Sequence, residues 1–411
     1  MSKFSRLPKI LLACVSVISL SQTTTADDWP QLQANARQSG DVPHVVLPER
    51  TGLLAAIPLT DAVLAAPVVS AGKAFVIDSS GVVFALDTQT HQVVWKFATS
   101  GGPANCNNIA APAVTGNYVH VGTMAGHYYV LDRDSGAVVT RIDCGEPVFA
   151  APVVGDERVY FATLGAQVYA VRPNGETVWT WDFVTEVVGF DGDRWKGEDW
   201  VAFRGDRVTW RDHFVCSRDI CLVGSTVVMP AGGRTVFLED AGDSPELRTV
   251  AEIPSYAGKE FPATFGQSAD AAGNVYVQWH RRDNAGRVEI LKLTGDELQT
   301  DFVAGTETSI DRHGLLSFTS VSVRDNDVYR VRPEHGVGLC RHRVGQEQPE
   351  VLCAAGSICP PVLTRDHAVY GGLDGQLHFV PLATGETTEF ATAFGAPITA
   401  AVAIADGQIY V

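Results

Sequence analysis

Positive charge is scarce in this chain. Its 411 residues carry 31 Lys and Arg against 47 Asp and Glu, a net charge of −16. Nucleic-acid binding by phosphate neutralisation needs a clustered basic surface, so that class is excluded, and attraction to an anionic membrane is disfavoured for the same reason. Long apolar runs are missing too: none reaches the 18 residues of a membrane-spanning helix. There is no Gly-rich phosphate loop, no Gly-x-Ser-x-Gly elbow, no His-Glu-x-x-His and no Cys-x-x-Cys-His. The middle of the chain lacks a 3.6-residue apolar period, which predicts few or no helices. What is present is a folding composition, 45% apolar and 19% charged, with an ordinary 39 Gly and 21 Pro.

The start of the chain has the order of an export signal. Lys3, Arg6 and Lys9 precede an apolar run from Ile10 to Leu20, and the small residues Thr24-Thr25-Ala26 lead to Asp27-Asp28. Residues 1–26 are therefore expected to be a signal peptide, and the protein to be exported to the periplasm or the cell exterior. Leu11-Leu12-Ala13-Cys14 is a weak lipoprotein-like site, with little apolar run before the cysteine. Cleavage after residue 26 leaves 28 basic against 47 acidic residues, a net charge of −19.

Seven cysteines then remain, an odd number, so at least one stays free or pairs outside the chain. Cys340 and Cys353 flank a presumed hairpin tip at Val344–Glu350 and can face each other across two strands. Cys216 and Cys221 can close a short loop. Sequence does not fix the connectivity.

Internal repeats organise the rest. Residues 65–97, 110–142, 150–181 and 359–390 align on Pro67, Pro112, Pro152 and Pro361. Weaker copies centre near Ile220, Ala269 and Val321, and a last one starts at Ala401. The steps are 40 to 52 residues, apart from one of 68 after the third copy. Each copy holds short runs rich in Val, Tyr and Phe, separated by Gly, Asn, Asp or Ser, which is strand and hairpin chemistry. About 40 residues in four strands fit one propeller blade, and blades bury their faces only against neighbours. The expected fold is an all-β, eight-bladed propeller of four-stranded antiparallel blades, forming one domain over residues 27–411 with an insertion at 183–213.

The copies also end alike. Ala85-x-Asp87-x-x-Thr90-His91 leads to Trp95; Leu131-Asp132 leads through Ser135-Gly136 to Thr140; Ala170 leads through Asn174-Gly175 to Trp179. The carboxylates of Asp87 and Asp132 suit tight turns, Gly136 and Gly175 supply positive φ, and Trp95 and Trp179 offer flat surfaces for packing between blades. The last copy is short. Residues 53–58 (LLAAIP) are expected to serve as an outer strand joining it, so that either the chain continues beyond Val411 or the ring closes on a three-stranded blade.

On these residues the sequence resembles the pyrroloquinoline-quinone-type (PQQ-like) β-propeller repeat family. Ala85–Trp95 matches that family's docking motif with His91 in place of Gly, and Asp28-Trp29-Pro30-Gln31-Leu32 with Gly40 resembles the start of many exported bacterial members. The resemblance covers roughly residues 28–411, strongly at 28–182 and 359–411. It implies, for the enzymes of the family, a metal-bound quinone on the axis, an Asp base, acidic and Asn ligands, and a disulfide between adjacent cysteines. This chain has no adjacent cysteine pair and lacks the length and electron-accepting parts of that branch. The family also includes an envelope scaffold that assists outer-membrane protein insertion, itself a lipoprotein, so that role is not transferred.

Two stretches are candidate binding residues. The insertion 183–213 offers Asp191, Asp193, Glu198 and Asp199 for a cation or polar ligand, and Trp195, Trp200 and Trp210 for stacking on a sugar or aromatic ring. Asp191-Gly192-Asp193 does not continue as a calcium loop. Asn107 and Asn108, with Asn105, lie just before an inner strand and are candidate channel residues. His213-x-x-Cys216-x-x-x-x-Cys221 matches no common zinc spacing. Cys340-Arg341-His342-Arg343 puts two Arg on one strand face, an ion-paired surface. No catalytic or metal-binding residue is assigned. The reading is a non-catalytic binding or scaffold module for an envelope protein, a glycan or a small ligand, with no cofactor expected. A quinoprotein oxidoreductase using PQQ with calcium is the alternative.

Overall fold

The computed structural model describes residues 28–47, 52–205, 210–252, 263–280, 286–294, 297–305, 320–332, 336, 338–343, 349–383, 386–391 and 395–411. The expected signal peptide, the hairpin tip at 344–348 and Arg281–Asp283 lie outside them. Seven four-stranded antiparallel sheets follow one another along the chain. Their innermost strands are Val68–Ser70, Ala113–Thr115, Val153–Val154, Cys221–Val223, Ala263–Ala269, Ser322–Arg324 and Val362–Leu363. Each of Pro67, Pro112, Pro152 and Pro361 stands immediately before one of these strands, where its missing N–H removes no ladder bond. The first three strands of a blade are mostly buried, whereas the outermost strand, such as Val93–Ala98, exposes most of its residues. In the first six blades the pairing of the third and fourth strands shifts register at one bulge, for example between Ala85 and Leu86. Bulges increase the local twist, and here the twist falls at the rim.

The structure corrects the expectation of eight four-stranded blades. The eighth repeat forms a two-stranded sheet, Ala403–Ala405 with Gln408–Tyr410, and the four-stranded blades number seven. Residues 53–58, expected as an outer strand, belong to no strand, and Leu53 and Leu54 are exposed. The outer strand of a blade needs a third strand to pair with, and among the described residues this sheet has none. Even so, the hairpin sits between the last blade and the first. Val402, Ala403 and Ile404 share one apolar cluster with Val362, Val369 and Leu377 of blade seven and with Val69 and Ala74 of blade one. Gln408 Nε2 donates to the Thr88 carbonyl of blade one at 3.1 Å, and Gln408 Oε1 lies 3.3 Å from His91 Nε2.

The opening Asp28–Gly40 explains itself in three dimensions. The axis-facing edge of every inner strand has N–H groups with no sheet partner, and buried N–H groups must be satisfied. One N–H from each blade is bonded in turn by this segment. Val69 donates to Trp29 O, Val114 to Pro30 O, Leu222 to Ala36 O, Ala269 to Arg37 O, Val323 to Ser39 O and Leu363 to Gly40 O, all at 2.7–3.1 Å. In blade three the acceptor is a side chain, Gln31 Oε1, 2.9 Å from Val154 N. Residues 28–42 thus form a strap around the inside of the ring. Asp28 fastens one end by accepting from Ser70 Oγ and Ala71 N.

The docking motifs work between blades. Asp87 Oδ1 accepts from the backbone N–H groups of Gln89 and Thr90 and from Thr90 Oγ1, and Asp132 Oδ1 accepts from Ser135 N and Oγ. These bonds hold both carboxyls below the usual range. Trp95 of blade one lies over the turn of blade two: its Nε1 donates to Arg133 O at 3.0 Å, and a Cβ on Gly136 would stand 2.7 Å from its ring. In blade two Thr140 replaces the Trp and keeps the same kind of bond, donating to Asn174 O at 2.7 Å beside Gly175. Trp179 of blade three donates to Asp240 Oδ1 of blade four at 3.2 Å.

His91 has φ +57, in the left-handed region that Gly136 and Gly175 occupy in the next two blades at φ +72 and +88. A left-handed non-glycine residue costs about 1–2 kcal/mol, partly offset because Gly loses more entropy on folding. His91→Gly is therefore expected to raise stability by about 0.5–1 kcal/mol in a urea melt. A decrease would mean that the His91–Gln408 contact outweighs the strain.

Candidate functional site

In an antiparallel four-stranded blade, the turn between strands two and three lies on the same face as the link to the next blade. The insertion 183–213 is such a link, between blades three and four. The strap bonds Ala71, in a turn between strands one and two, and so lies at the opposite end of the channel. The insertion folds as a single turn of wide helix, Val184–Val188, followed by the helices Gly197–Arg204 and Trp210–His213. Helix therefore occurs where the strand repeat is interrupted.

An aromatic stack holds the insertion on the ring. Phe190 stacks on Trp200 at 3.9 Å between centroids, and Trp200 stacks on Phe214 at 5.6 Å. Trp200 is 2% exposed and donates Nε1 to the Arg194 carbonyl. Arg194 pairs with Asp182 at the end of blade three and donates to Gly165 O at 2.6 Å. Trp195 contacts Trp210 and Phe214 edge-on and donates Nε1 to Glu146 Oε2 at 3.2 Å. Burial raises the Glu146 carboxyl, with the Thr163 and Trp195 bonds and the Arg194 charge opposing the rise.

The acidic candidates do not converge. Asp193 accepts from Trp195 N and pairs with Lys196, while Asp199 Oδ2 accepts from Asp193 N. Asp191 and Glu198 are exposed. The asparagines separate as well. Asn108 is buried, with Nδ2 donating to Ser79 O and Oδ1 accepting from Met124 N, so its amide ties two blades together. Asn107 is exposed with φ +56. Among the described residues, no three His, Cys, Asp or Glu side chains gather to hold a metal ion.

Cysteine placement departs from the pairings that sequence allowed. Cys353, Cys216 and Cys221 carry no disulfide, so neither pairing forms. The bulge at Leu339/Cys340 sets Cys340 opposite Val351 and Cys353 opposite Leu339, so the two thiols are not cross-strand partners. Cys216 and Cys221 pack in different apolar clusters.

A cavity of about 580 Å³ opens beside Cys353, between the rims of blades six and seven and on the insertion face. Its walls include Cys353, Asp374 and Glu389. Fully buried His378 stands behind them, with Nε2 3.1 Å from Asp374 Oδ2 and Nδ1 3.4 Å from Glu389 Oε1. Tyr370 stacks on the imidazole at 5.1 Å and donates to Ala355 O at 3.0 Å. No repeat or spacing in the sequence brings Cys353 and His378 together, since they belong to different blades. Asp240 was also missed. It takes the bonds of Arg158, Tyr160, Trp179 and Gly242 N at the turn of blade four, and its only signal is Asp240-x-Gly242 without a following Thr or Ser-Gly. The Arg341 and Arg343 pair behaves as expected, bonded to Glu350 and Asp327.

A family model described as outer membrane protein assembly factor BamB matches residues 52–127 and 109–192, which are the first three blades and their docking turns. These three blades resemble the repeats of the PQQ-like β-propeller family. No curated protein matches the chain. Solved structures share the fold at low identity. The quinohemoprotein alcohol dehydrogenase from Comamonas testosteroni is 15% identical over 93% of this chain and 76% of that one, with a TM-score of 0.56. A europium-containing methanol dehydrogenase is 12% identical over 91% and 86%, with a TM-score of 0.62. The computationally designed Ika8 protein is 14% identical over 85% and 93%, with a TM-score of 0.54. At these identities the likeness is one of fold. Among the described residues, no helix is long and apolar enough to cross a membrane.

Proposed function

We propose that this chain is an exported, non-catalytic binding module whose insertion face receives an envelope protein. One observation carries the reading. The insertion holds Trp195, Val201, Phe203 and Trp210 at 38%, 40%, 48% and 53% exposure, whereas the other described aromatic side chains are buried or partly buried. Grouped exposed apolar side chains mark interaction sites, and Trp is favoured among the residues that dominate binding energy. The neighbouring Asp191, Asp193 and Glu198 form a polar rim. The family model's description, an outer membrane protein assembly factor, agrees with a protein partner in the envelope. A glycan or a small ligand is the narrower possibility for the same tryptophans.

Against the quinoprotein alternative stand the lack of the adjacent cysteines that the resemblance implies for the enzymes and the Asn108 amide, which is bonded to Ser79 O and Met124 N. A purified sample mixed with quinone and calcium should keep a flat visible spectrum and reduce no dye; bound chromophore with dye reduction would decide for the enzyme.

The binding reading is tested by capture from envelope extract. Removing 183–213 entirely would strip Phe190 and Trp200 from the core, so point changes are the better tool. Phe203→Ser with Trp210→Ala should leave the melting temperature within about 2 °C and lower recovery of a retained partner at least tenfold, on the order of 1.4 kcal/mol. Equal recovery by both forms would remove the insertion from the binding surface.

A further inference from the structure

We propose that the two-stranded eighth sheet receives a β-strand from a partner protein, an extended apolar segment that pairs with Ile409 and seats residues 53–58 as the outer strand. Asp406 and Gly407 both have positive φ, +50 and +70, which gives a two-residue hairpin turn. Such a turn makes Ala405 and Gln408 the pair that exchanges backbone bonds, and Ala403 and Tyr410 the next such pair. The N–H and C=O of Ile409 then point away from the hairpin, toward the side where each full blade has its third strand. Among the described residues no strand stands there.

The full blades show what covers such an edge. Blades one, two, four and six open on a turn of the same length, so their residues match by position. At the place of Ile409 they have Ala74, Val119, Val227 and Val328, none more than 2% exposed. At the place of Tyr410 they have Phe75, His120, Val228 and Tyr329, none more than 3% exposed. Ile409 and Tyr410 themselves are partly exposed, and with Leu47 and Phe390 they form the margin of the apolar cluster between blades seven and one. The third strands of blades one to three, Val82–Asp87, His127–Asp132 and Gln167–Val171, are rich in Val, Leu and Tyr and mostly buried. The occupant has that chemistry and runs antiparallel to Gln408–Tyr410, as third strands run to second strands throughout the ring.

The other edge of the added strand has a partner waiting. From blade to blade, the outer strand pairs with the third strand and then leads into the next inner strand. Residues 53–58 lead into blade one in the same way, yet they belong to no strand and expose Leu53 and Leu54. Native sheets cover unpaired strand edges and exposed apolar segments. One inserted strand covers both features here, by the mode of β-strand addition. The site lies between blades seven and one, apart from the insertion between blades three and four, so it stands or falls separately from the binding face proposed above.

The test uses the purified chain and a synthetic peptide of residues 163–174 (TLGAQVYAVRPN), which carries the third strand of blade three, with a scrambled peptide as control. Saturating peptide should raise the melting temperature by about 3 °C or more. Hydrogen exchange should slow about tenfold or more at Ile409 and at the amides of residues 53–57. Ile409→Pro removes an N–H that the hairpin does not use, so it should fold and weaken peptide binding about tenfold. Leu53→Ser with Leu54→Ser, both exposed, should leave the free chain's melting temperature unchanged and abolish the added protection of residues 53–57. Phe203→Ser with Trp210→Ala should bind the peptide as the parent does, whatever its effect at the insertion face. The proposal is overturned by unchanged exchange at Ile409, by equal protection from the scrambled peptide, or by an Ile409 amide already protected in the free chain. Association of the free chain into dimers that bury Ile409 would also overturn it, since the occupant would then be a second copy.

Discussion

Gly40→Ala should destabilise the protein by about 2–5 kcal/mol, a large share of the ~5–15 kcal/mol that holds a typical domain together. Gly40 has φ +61, which costs an L-residue about 1–2 kcal/mol. The added Cβ would also stand 2.5 Å from Ser322 Oγ, 2.8 Å from Gln33 Oε1 and 2.9 Å from Pro361 O. Such crowding typically costs about 1–3 kcal/mol, and the Pro361 carbonyl is backbone that cannot swing aside. The site joins blades six and seven to the strap: the Gly40 carbonyl accepts from Leu363 N, and Ser322 Oγ donates to Pro361 O. Urea unfolding is the measurement, with Gly52→Ala as the control because nothing lies within 4 Å of that position. If Gly40→Ala unfolds within about 0.5 kcal/mol of the parent, the strap is not seated as described.

Trp95→Ala should cost about 3–5 kcal/mol, the usual loss for truncating a buried Trp. Trp95 is 9% exposed, packs against Phe75 at 5.9 Å and roofs Gly136 of the next blade. Truncation opens the seam between blades one and two and leaves the Arg133 carbonyl without its donor. Thr140→Ala, at the corresponding place one seam further on, should cost only about 1 kcal/mol, because mainly one hydrogen bond is lost. Trp95→Thr should fall between the two, since it copies the solution blade two already uses. A thermal melt ranks them. Trp95→Ala behaving no worse than Trp210→Ala, whose ring is 53% exposed, would show that the indole does not join the blades.

Sequence revealed the blades wherever local chemistry repeats. Pro67, Pro112, Pro152 and Pro361 mark inner strands because proline is tolerated just ahead of a ladder, and Asp87 and Asp132 mark turns because a carboxylate can close them alone. Blades four to six lose those markers, and Asp240 does the work of a docking residue with no recognisable neighbours. The number of full blades was overestimated because a repeat start at Ala401 signals a sheet but does not guarantee its outer strands. Within the insertion, burial of Trp200 and exposure of Trp195 and Trp210 depend on which helix face meets Phe190 and Phe214, which no local pattern records. The cavity lined by Cys353 and Asp374 was illegible because its walls come from two blades. So was the strap, whose bonds are made mostly by backbone atoms that every residue shares.

The strap has a consequence for biogenesis. Its residues leave the ribosome before any blade exists, yet Gly40 finds its acceptor role only when Leu363 is in place. N-terminal elements usually fold first during synthesis; this one must wait for nearly the whole chain, as a keystone set after the arch. A nascent chain stalled before blade seven should therefore leave Asp41 and its surroundings open to protease, and the same bonds should become protected together, in one late step, on release.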